Sequence, residues 1–243
     1  MHQERFIYIA SCVFTRKYPE LSQKIQAYLK ERFQLHIIRC CVPQYKTAAF
    51  AKEMPAWYRS QWESIPAYQE FTAEDTMVSL CHNCAAIFAE TKPAIRQQSL
   101  WEFLLADAAF PFPDYQQEKI FVQDCWRSRE NKAEQKAVRQ LLRRMNFQVV
   151  ELEEPQEDFC GISLLRPAPV RNLKLAPRHF VAGAEGKFLP HTPEEQQAAM
   201  KEHCRQFGTQ RVAAYCHYCT EGLELGGARV QHLAELLFAG IRG

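Results

Sequence analysis

The chain has 243 residues, of which 47% are hydrophobic and 24% charged, with a formal net charge of +2. This length is sufficient for one large or two small packed domains, and so low a charge gives no reason to expect binding to nucleic acid. Without an apolar run of the roughly 18 residues that a membrane span needs, and with an N-terminus that lacks the apolar core of a secretory signal, we expect a cytoplasmic protein.

The unusual feature of the composition is the ten cysteines. Thiols in the cytoplasm are kept reduced, so we expect metal binding or redox chemistry rather than a disulfide framework. The alternative is that most of the cysteines are small buried apolar side chains. Their arrangement along the chain favours the metal or redox interpretation.

The first half of the sequence predicts three strands, each of which leads to cysteine. The strand-like segments are Arg5–Cys12, Leu35–Arg39 and Met77–Leu80, and the last two lead to Cys40-Cys41 and to Cys81-His82-Asn83-Cys84. A helix opened by Pro19 follows the first strand, with apolar residues at helical spacing up to Phe33. An aromatic-rich region that is interrupted by Pro55 and Pro66 is predicted to be helical and precedes the third strand.

The second half repeats this order. Its strand-like segments are Glu118–Cys125, Phe147–Leu152 and Arg211–Tyr215, and its cysteines are Cys125, Cys160, Cys216 and Cys219. An amphipathic helix follows the first of these strands, and a similar helical element follows the C-x2-C pair in both halves, at residues 98–104 and 231–237. Residues 163–191 are predicted to form a long loop, which ends at a helix start on Thr192.

Strands that alternate with helices predict an α/β protein with two pseudo-repeated Rossmann-like halves, each with a small, mostly parallel sheet flanked by helices. The prolines at Pro111 and Pro113 oppose both helix and central strand. We therefore expect one cysteine-rich domain over residues 1–112 and a second over residues 113–243. The carboxyl ends of parallel strands lie at one edge of a sheet, so the cysteines of each half should converge there.

Five cysteines of the first half form one candidate set. They are Cys12, Cys40, Cys41, Cys81 and Cys84. Tetrahedral zinc and an ordinary four-iron cluster each need four thiolates, so the fifth favours a larger cluster in which a cysteine bridges two irons. Helix N-termini stabilise negative charge, which makes thiolates easier to form in C-x2-C pairs at such positions.

The order Cys…Cys-Cys…Cys-x2-Cys, together with the segment from Cys12 to Pro19, resembles the CCG-domain (cysteine-rich domain) family, typified by the cysteine-rich subunit of heterodisulfide reductase. The resemblance extends along both halves. It implies that the five cysteines bind a noncubane [4Fe-4S] cluster. It also implies thiol/disulfide or electron-transfer chemistry, with electrons supplied by a ferredoxin-like subunit. A subunit of an oxidoreductase that acts on a small organic acid is an alternative within the same superfamily.

The second candidate set has four cysteines: Cys125, Cys160, Cys216 and Cys219. Phe159 stands where a cysteine would complete the adjacent pair, so this half is expected to hold zinc or a second [4Fe-4S] cluster. Cys204 is either a replacement ligand or a buried cysteine of the helix that starts at Thr192.

Charged residues near the cysteines allow several roles. His82 and His217 lie inside the C-x2-C pairs, where they can orient or ligate a cluster. Arg16, Arg127 and Arg129 follow strand-end cysteines. These arginines either offset cluster charge, bind an anionic substrate or face solvent.

Two further functions stay open on the sequence. The chain can be a non-catalytic scaffold subunit that holds zinc or a cluster within a larger oxidoreductase complex. It can also be a metal-free thiol protein whose C-x2-C pairs alternate between dithiol and disulfide. The sequence has no dinucleotide-binding glycine fingerprint, P-loop or serine-nucleophile elbow, which disfavours nucleotide-dependent and hydrolase activities.

Overall fold

A computed structural model describes residues 5–43, 47–152 and 158–241. The chain divides into two compact units, a first that runs to Phe103 and a second over Leu104–Gly240. The link at Pro111 and Pro113 lies within the second unit, and the domain boundary inferred from these prolines stays a prediction.

The first unit contains a four-stranded parallel sheet. Its strands are β1 (Arg5–Ile9), β2 (His36–Ile38), β3 (Asp75–Ser79) and β4 (Arg96–Ser99). Its helices are α1 (Cys12–Lys17), α2 (Pro19–Phe33), α3 (Thr47–Glu53), α4 (Ala56–Ser64) and α5 (His82–Thr91), and α6 (Leu100–Ala106) continues into the second unit. The strand order is β2-β1-β3-β4, and every neighbouring pair is parallel.

The second unit repeats the arrangement with strand order β6-β5-β7-β8, again all parallel. Its strands are β5 (Lys119–Gln123), β6 (Gln148–Val150), β7 (Arg211–Ala214) and β8 (Arg229–His232). Its helices are α7 (Lys132–Arg144), α8 (Val170–Leu175), α9 (Pro177–Phe180), α10 (Pro193–Cys204), α11 (His217–Leu225) and α12 (Leu233–Leu237).

Local sequence explains these elements. All five residues of β3 are buried, as expected for a central strand of a parallel sheet that is covered on both faces. The side chain of Asn131 accepts the Glu134 N–H and caps α7. Thr192 and Glu195 form a capping box at the start of α10, where the sequence predicts a helix.

The predicted fold class is confirmed: the protein is α/β with two Rossmann-like halves, each a small parallel sheet flanked by helices. Two details differ from the sequence-based expectation. Each sheet has a fourth strand, β4 or β8, which begins just before the helical element expected there. Residues 163–191 are not a plain loop, because they include α8 and α9. Among the described residues, each helix is too short or too polar to cross a bilayer.

Candidate metal centre

The four candidate ligands of the second unit come together beyond the carboxyl ends of β5 and β7. Cys125 lies two residues after β5, Cys216 caps α11, and Cys219 lies in its first turn. Cys160 precedes a short 3-10 helix over Gly161–Ser163. The four sulfur atoms all lie within 4.8 Å of one another, and Cys125 Sγ lies 3.4 Å from Cys160 Sγ. All four side chains are buried, so this group can hold a metal ion or cluster.

The spacing of the sulfurs matters for what the site accommodates. A tetrahedral ion with metal–sulfur bonds of about 2.3 Å places its four sulfurs roughly 3.8 Å apart. A four-iron cluster holds its cysteines farther apart, since each cysteine binds a different iron of the inorganic core. The sulfur separations, all within 4.8 Å, are compatible with the shorter of these two spacings.

The electrostatics of the site favour a cation. Burial, together with the neighbouring thiols, raises the pKa of the Cys125 and Cys219 thiols well above their ordinary value. Several thiolates cannot coexist in so small a buried space without positive charge beside them. A metal ion bound to these cysteines would supply that charge and favour the thiolate form of the coordinating thiols.

Gly161 permits Cys160 to approach α11. Its φ of +51° is in the left-handed region, and a Cβ at this position would lie 1.9 Å from the Tyr218 carbonyl oxygen. On the facing side, a Cβ at Gly222 would lie 2.5 Å from Gly161 Cα. Two glycines thus allow the Cys160 turn to pack directly on the backbone of the helix that carries Cys219.

A polar network joins the two strand ends that carry Cys125 and Cys216. Tyr215 Oη donates a hydrogen bond of 2.6 Å to Asp124 Oδ1, and each of these residues directly precedes a cysteine of the set. Arg139 of α7 binds the same carboxylate through two hydrogen bonds, of 3.0 and 2.7 Å. Asp124 and Tyr215 were not among the residues predicted from the sequence, although their position immediately before a predicted ligand is a usable signal.

Arg127 is buried beside the cysteines. Its Nη1 donates a hydrogen bond to Cys160 Sγ, and its Nη2 donates to Ser163 Oγ at 2.8 Å. Its backbone N–H lies 3.4 Å from Cys125 Sγ. Of the three roles left open for this arginine, exposure to solvent is excluded.

Residues 164–191, here called the cap segment, pack against the residues that follow Cys125. Phe180 and Phe188 of the cap segment pack against Trp126, with ring centroids 6.2 and 5.8 Å apart. Arg129 lies over the Trp126 ring at 4.3 Å and donates to the Gly183 carbonyl oxygen at 3.3 Å. These contacts place an aromatic layer next to Cys125.

Phe159, which replaces the cysteine of a complete pair, has a packing role. Its ring stacks on His203 with centroids 4.0 Å apart and planes inclined by 11°. His203 Nε2 donates a hydrogen bond of 2.8 Å to Gln123 Oε1. Cys204, the next residue, is buried at the end of α10 with its thiol 3.6 Å from the Leu223 carbonyl oxygen. Cys204 is outside the group of four close sulfurs, as the buried-helix interpretation expects.

The five cysteines of the first unit are linked by successive interactions. Cys40 interacts with Cys41, Cys41 hydrogen-bonds with Cys84, and Cys84 hydrogen-bonds with Cys81. Cys12 acts electrostatically on Cys40 and is partly exposed, whereas the other four are buried. Their assignment as ligands of one cluster stays a prediction.

Within this set, the two thiols of the C-x2-C pair, Cys81 and Cys84, have pKa values that are shifted in opposite directions. The hydrogen bond from Cys84, opposed by burial, lowers the pKa of Cys81 to about 7. The hydrogen bonds with Cys41 and Cys81, together with burial, raise the pKa of Cys84 well above its ordinary value. The backbone N–H of Cys81 donates to Ser79 Oγ at 3.0 Å, which fixes the strand end from which Cys81 projects.

The remaining predicted residues lie close to the cysteines in the chain, with different environments. His82 and His217 are buried at the first positions of α5 and α11. Arg16 lies in α1 and forms an exposed ion pair with Glu53. No family model matches this chain, and no curated protein sequence matches it either.

Proposed function

We propose that this chain is a metal–thiolate redox protein whose two units have different tasks. The second unit holds a single structural ion, and the first holds an iron–sulfur cluster that exchanges electrons. The observation that carries the proposal is the group of four buried sulfurs within 4.8 Å of one another in the second unit. The raised pKa values of Cys125 and Cys219 keep these thiols protonated in the absence of a cation, and a bound cation would let them become thiolate ligands.

Zinc is the ion proposed for the second unit. Four cysteines in a tetrahedral arrangement are a characteristic structural zinc site, in which every coordination position is filled by the protein. Catalytic metal sites keep one position open for water or substrate. Because the four cysteines are all buried, the proposed ion would stabilise the fold and would not bind a substrate.

The first unit is the proposed redox centre. Four of its five cysteines are buried and interact with one another, and the exposed part of Cys12 would offer a route for electrons to a partner. The resemblance to the cysteine-rich subunit of heterodisulfide reductase suggests a noncubane [4Fe-4S] cluster on Cys12, Cys40, Cys41, Cys81 and Cys84. It further suggests a ferredoxin-like electron donor and a thiol/disulfide or small organic substrate.

A second candidate function follows from the closed second site. The chain can serve as a scaffold subunit that holds zinc and docks on a larger oxidoreductase complex, without redox chemistry of its own. Complete burial of the four cysteines favours this candidate over a catalytic role for the second unit.

Metal analysis of anaerobically purified protein tests the proposal. We expect one zinc per chain, about four irons with inorganic sulfide, and a broad brown absorption from the cluster. Cys41→Ser should remove the iron and keep the zinc, whereas Cys160→Ser should remove the zinc and keep the iron. Cys204→Ser is the matched control, a buried cysteine outside both sets.

The outcomes separate the alternatives. Zinc without iron or sulfide would contradict the redox proposal and support the scaffold. A metal-free protein with titratable thiols would contradict both and support a dithiol/disulfide protein. Equal effects of Cys41→Ser and Cys204→Ser on iron content would contradict the ligand assignment in the first unit.

A further inference from the structure

Arg127 is a charged side chain in an apolar and aromatic environment. Its guanidinium carbon lies 5.7 Å from the ring centroid of Trp126, 5.6 Å from that of Phe180 and 5.0 Å from that of Tyr218. The whole residue is 5% exposed. A guanidinium does not lose its proton in proteins, so this position carries a permanent positive charge.

A buried charge is costly unless it is paired and hydrogen-bonded. The two nitrogen atoms at the end of Arg127 are directed at Cys160 Sγ and at Ser163 Oγ. Both acceptors lie on the turn that brings Cys160 to the site. The fork of the guanidinium therefore holds the position of this turn as well as contacting the sulfur, which a single ammonium group cannot do.

The net negative charge of a metal-occupied site would make its pairing with Arg127 favourable. Four thiolates around a divalent ion leave two net negative charges in a buried volume. One guanidinium in contact with a sulfur halves that excess. Hydrogen bonds from a charged donor to a thiolate are also stronger than those between neutral groups.

We propose that Arg127 is a positioning residue of the metal centre: it holds Cys160 in place as a thiolate and supplies a permanent counter-charge to the bound ion. This inference rests on the metal occupancy proposed above. It assigns to the arginine a role that neither the aromatic contacts nor the packing of the core requires. The neighbouring Arg129 makes its hydrogen bonds to His179 and to backbone carbonyl oxygens and its ion pair with Glu130, so none of these contacts fixes a sulfur atom.

The test compares Arg127→Gln, Arg127→Lys and the matched control Arg129→Gln in the full chain. Zinc affinity is measured by competition with a chromophoric chelator, and the sulfur-to-cobalt charge-transfer band is recorded after substitution with Co²⁺. Loss of an outer partner of a metal ligand typically weakens metal binding by ~10- to 100-fold, and we expect Arg127→Gln to fall in this range. Arg127→Lys should bind zinc more weakly than the wild type and more tightly than Arg127→Gln.

The cobalt band separates positioning from simple packing. Removing the guanidinium from Cys160 should shift this band, whereas Arg129→Gln should leave both the band and the affinity unchanged. Wild-type affinity and an unshifted band in Arg127→Gln would overturn the inference while leaving the proposed metal site intact. If Arg127→Gln does not fold, Arg127→Lys decides, because wild-type behaviour in both measurements would overturn the role of the fork. A wild-type chain that binds no metal would remove both proposals.

Discussion

The close approach of the Cys160 turn to α11 makes a sharp prediction for Gly161→Ala. The added Cβ would lie 1.9 Å from the Tyr218 carbonyl oxygen, and real Cβ contacts are essentially never shorter than 3.0 Å. Relief of this overlap requires the turn and the helix to separate by roughly 1 Å, whereas ligand distances at metal sites are held within about 0.2 Å. A non-glycine residue in a left-handed conformation costs a further ~1–2 kcal/mol.

Gly186→Ala is the matched control. Gly186 also has a left-handed φ, of +68°, but a Cβ there meets no atom within 4 Å. Both substitutions should therefore lower the free energy of unfolding through the backbone conformation. Only Gly161→Ala should also weaken zinc binding, by at least tenfold, or about 1.4 kcal/mol.

Chelator competition and urea unfolding of the two variants provide the comparison. If Gly161→Ala bound zinc as tightly as Gly186→Ala and lost the same unfolding free energy, the contact between the Cys160 turn and α11 would not control the site. The inference that these glycines bring Cys160 to the other sulfurs would then be refuted.

Three further predictions concern both units. Cys41→Ser should lower the iron content of anaerobically purified protein much more than Cys204→Ser does, as metal analysis can show. Tyr215→Phe should lower the free energy of urea unfolding by about 1.5–3 kcal/mol, because it removes a partly buried hydrogen bond to the Asp124 carboxylate; an unchanged midpoint would count against the network. Burial lowers the pKa of His203 from 6.5 to about 4, so the unfolded chain binds a proton between these pH values that the folded chain does not. The free energy of unfolding should therefore fall as the pH decreases from 6.5 towards 4. Between pH 7 and pH 5, urea unfolding should show a smaller fall for His203→Gln than for the wild type. An equal fall in the two proteins would contradict this role of His203.

The sequence predicted the central strands because their apolar residues mark burial on both faces. In β1, Ile7, Tyr8 and Ile9 are fully buried. The cysteines that follow the central strands indicated that the two halves of the chain are repeats. Of the four edge strands, β2 and β6 were predicted, whereas β4 and β8 were not. The segment Arg96-Gln97-Gln98-Ser99 is polar and its first two residues are exposed, so β4 has no apolar pattern by which to recognise it.

The cysteines of the site were predictable, and their surroundings were not. Spacing indicated the four cysteines of the second unit, because Cys125 and the Cys216/Cys219 pair follow strand ends and Cys160 follows the second strand of the repeat. The burial of Arg127 depends on aromatic rings from distant parts of the chain, Phe180 and Tyr218, which no local pattern brings together. Likewise, the sequence shows a glycine after Cys160, but it does not show that Gly161 contacts the backbone of α11.

The complete burial of Cys125, Cys160, Cys216 and Cys219 restricts when an ion can enter. In the finished fold, the aromatic contacts of the cap segment lie against Trp126, next to Cys125. If the site binds an ion as proposed, the ion would be captured while the chain is still closing around these sulfurs, and its later exchange would wait for a local opening. Metal supply during biosynthesis, rather than the metal concentration met by the mature protein, would then determine which element each molecule carries for its lifetime.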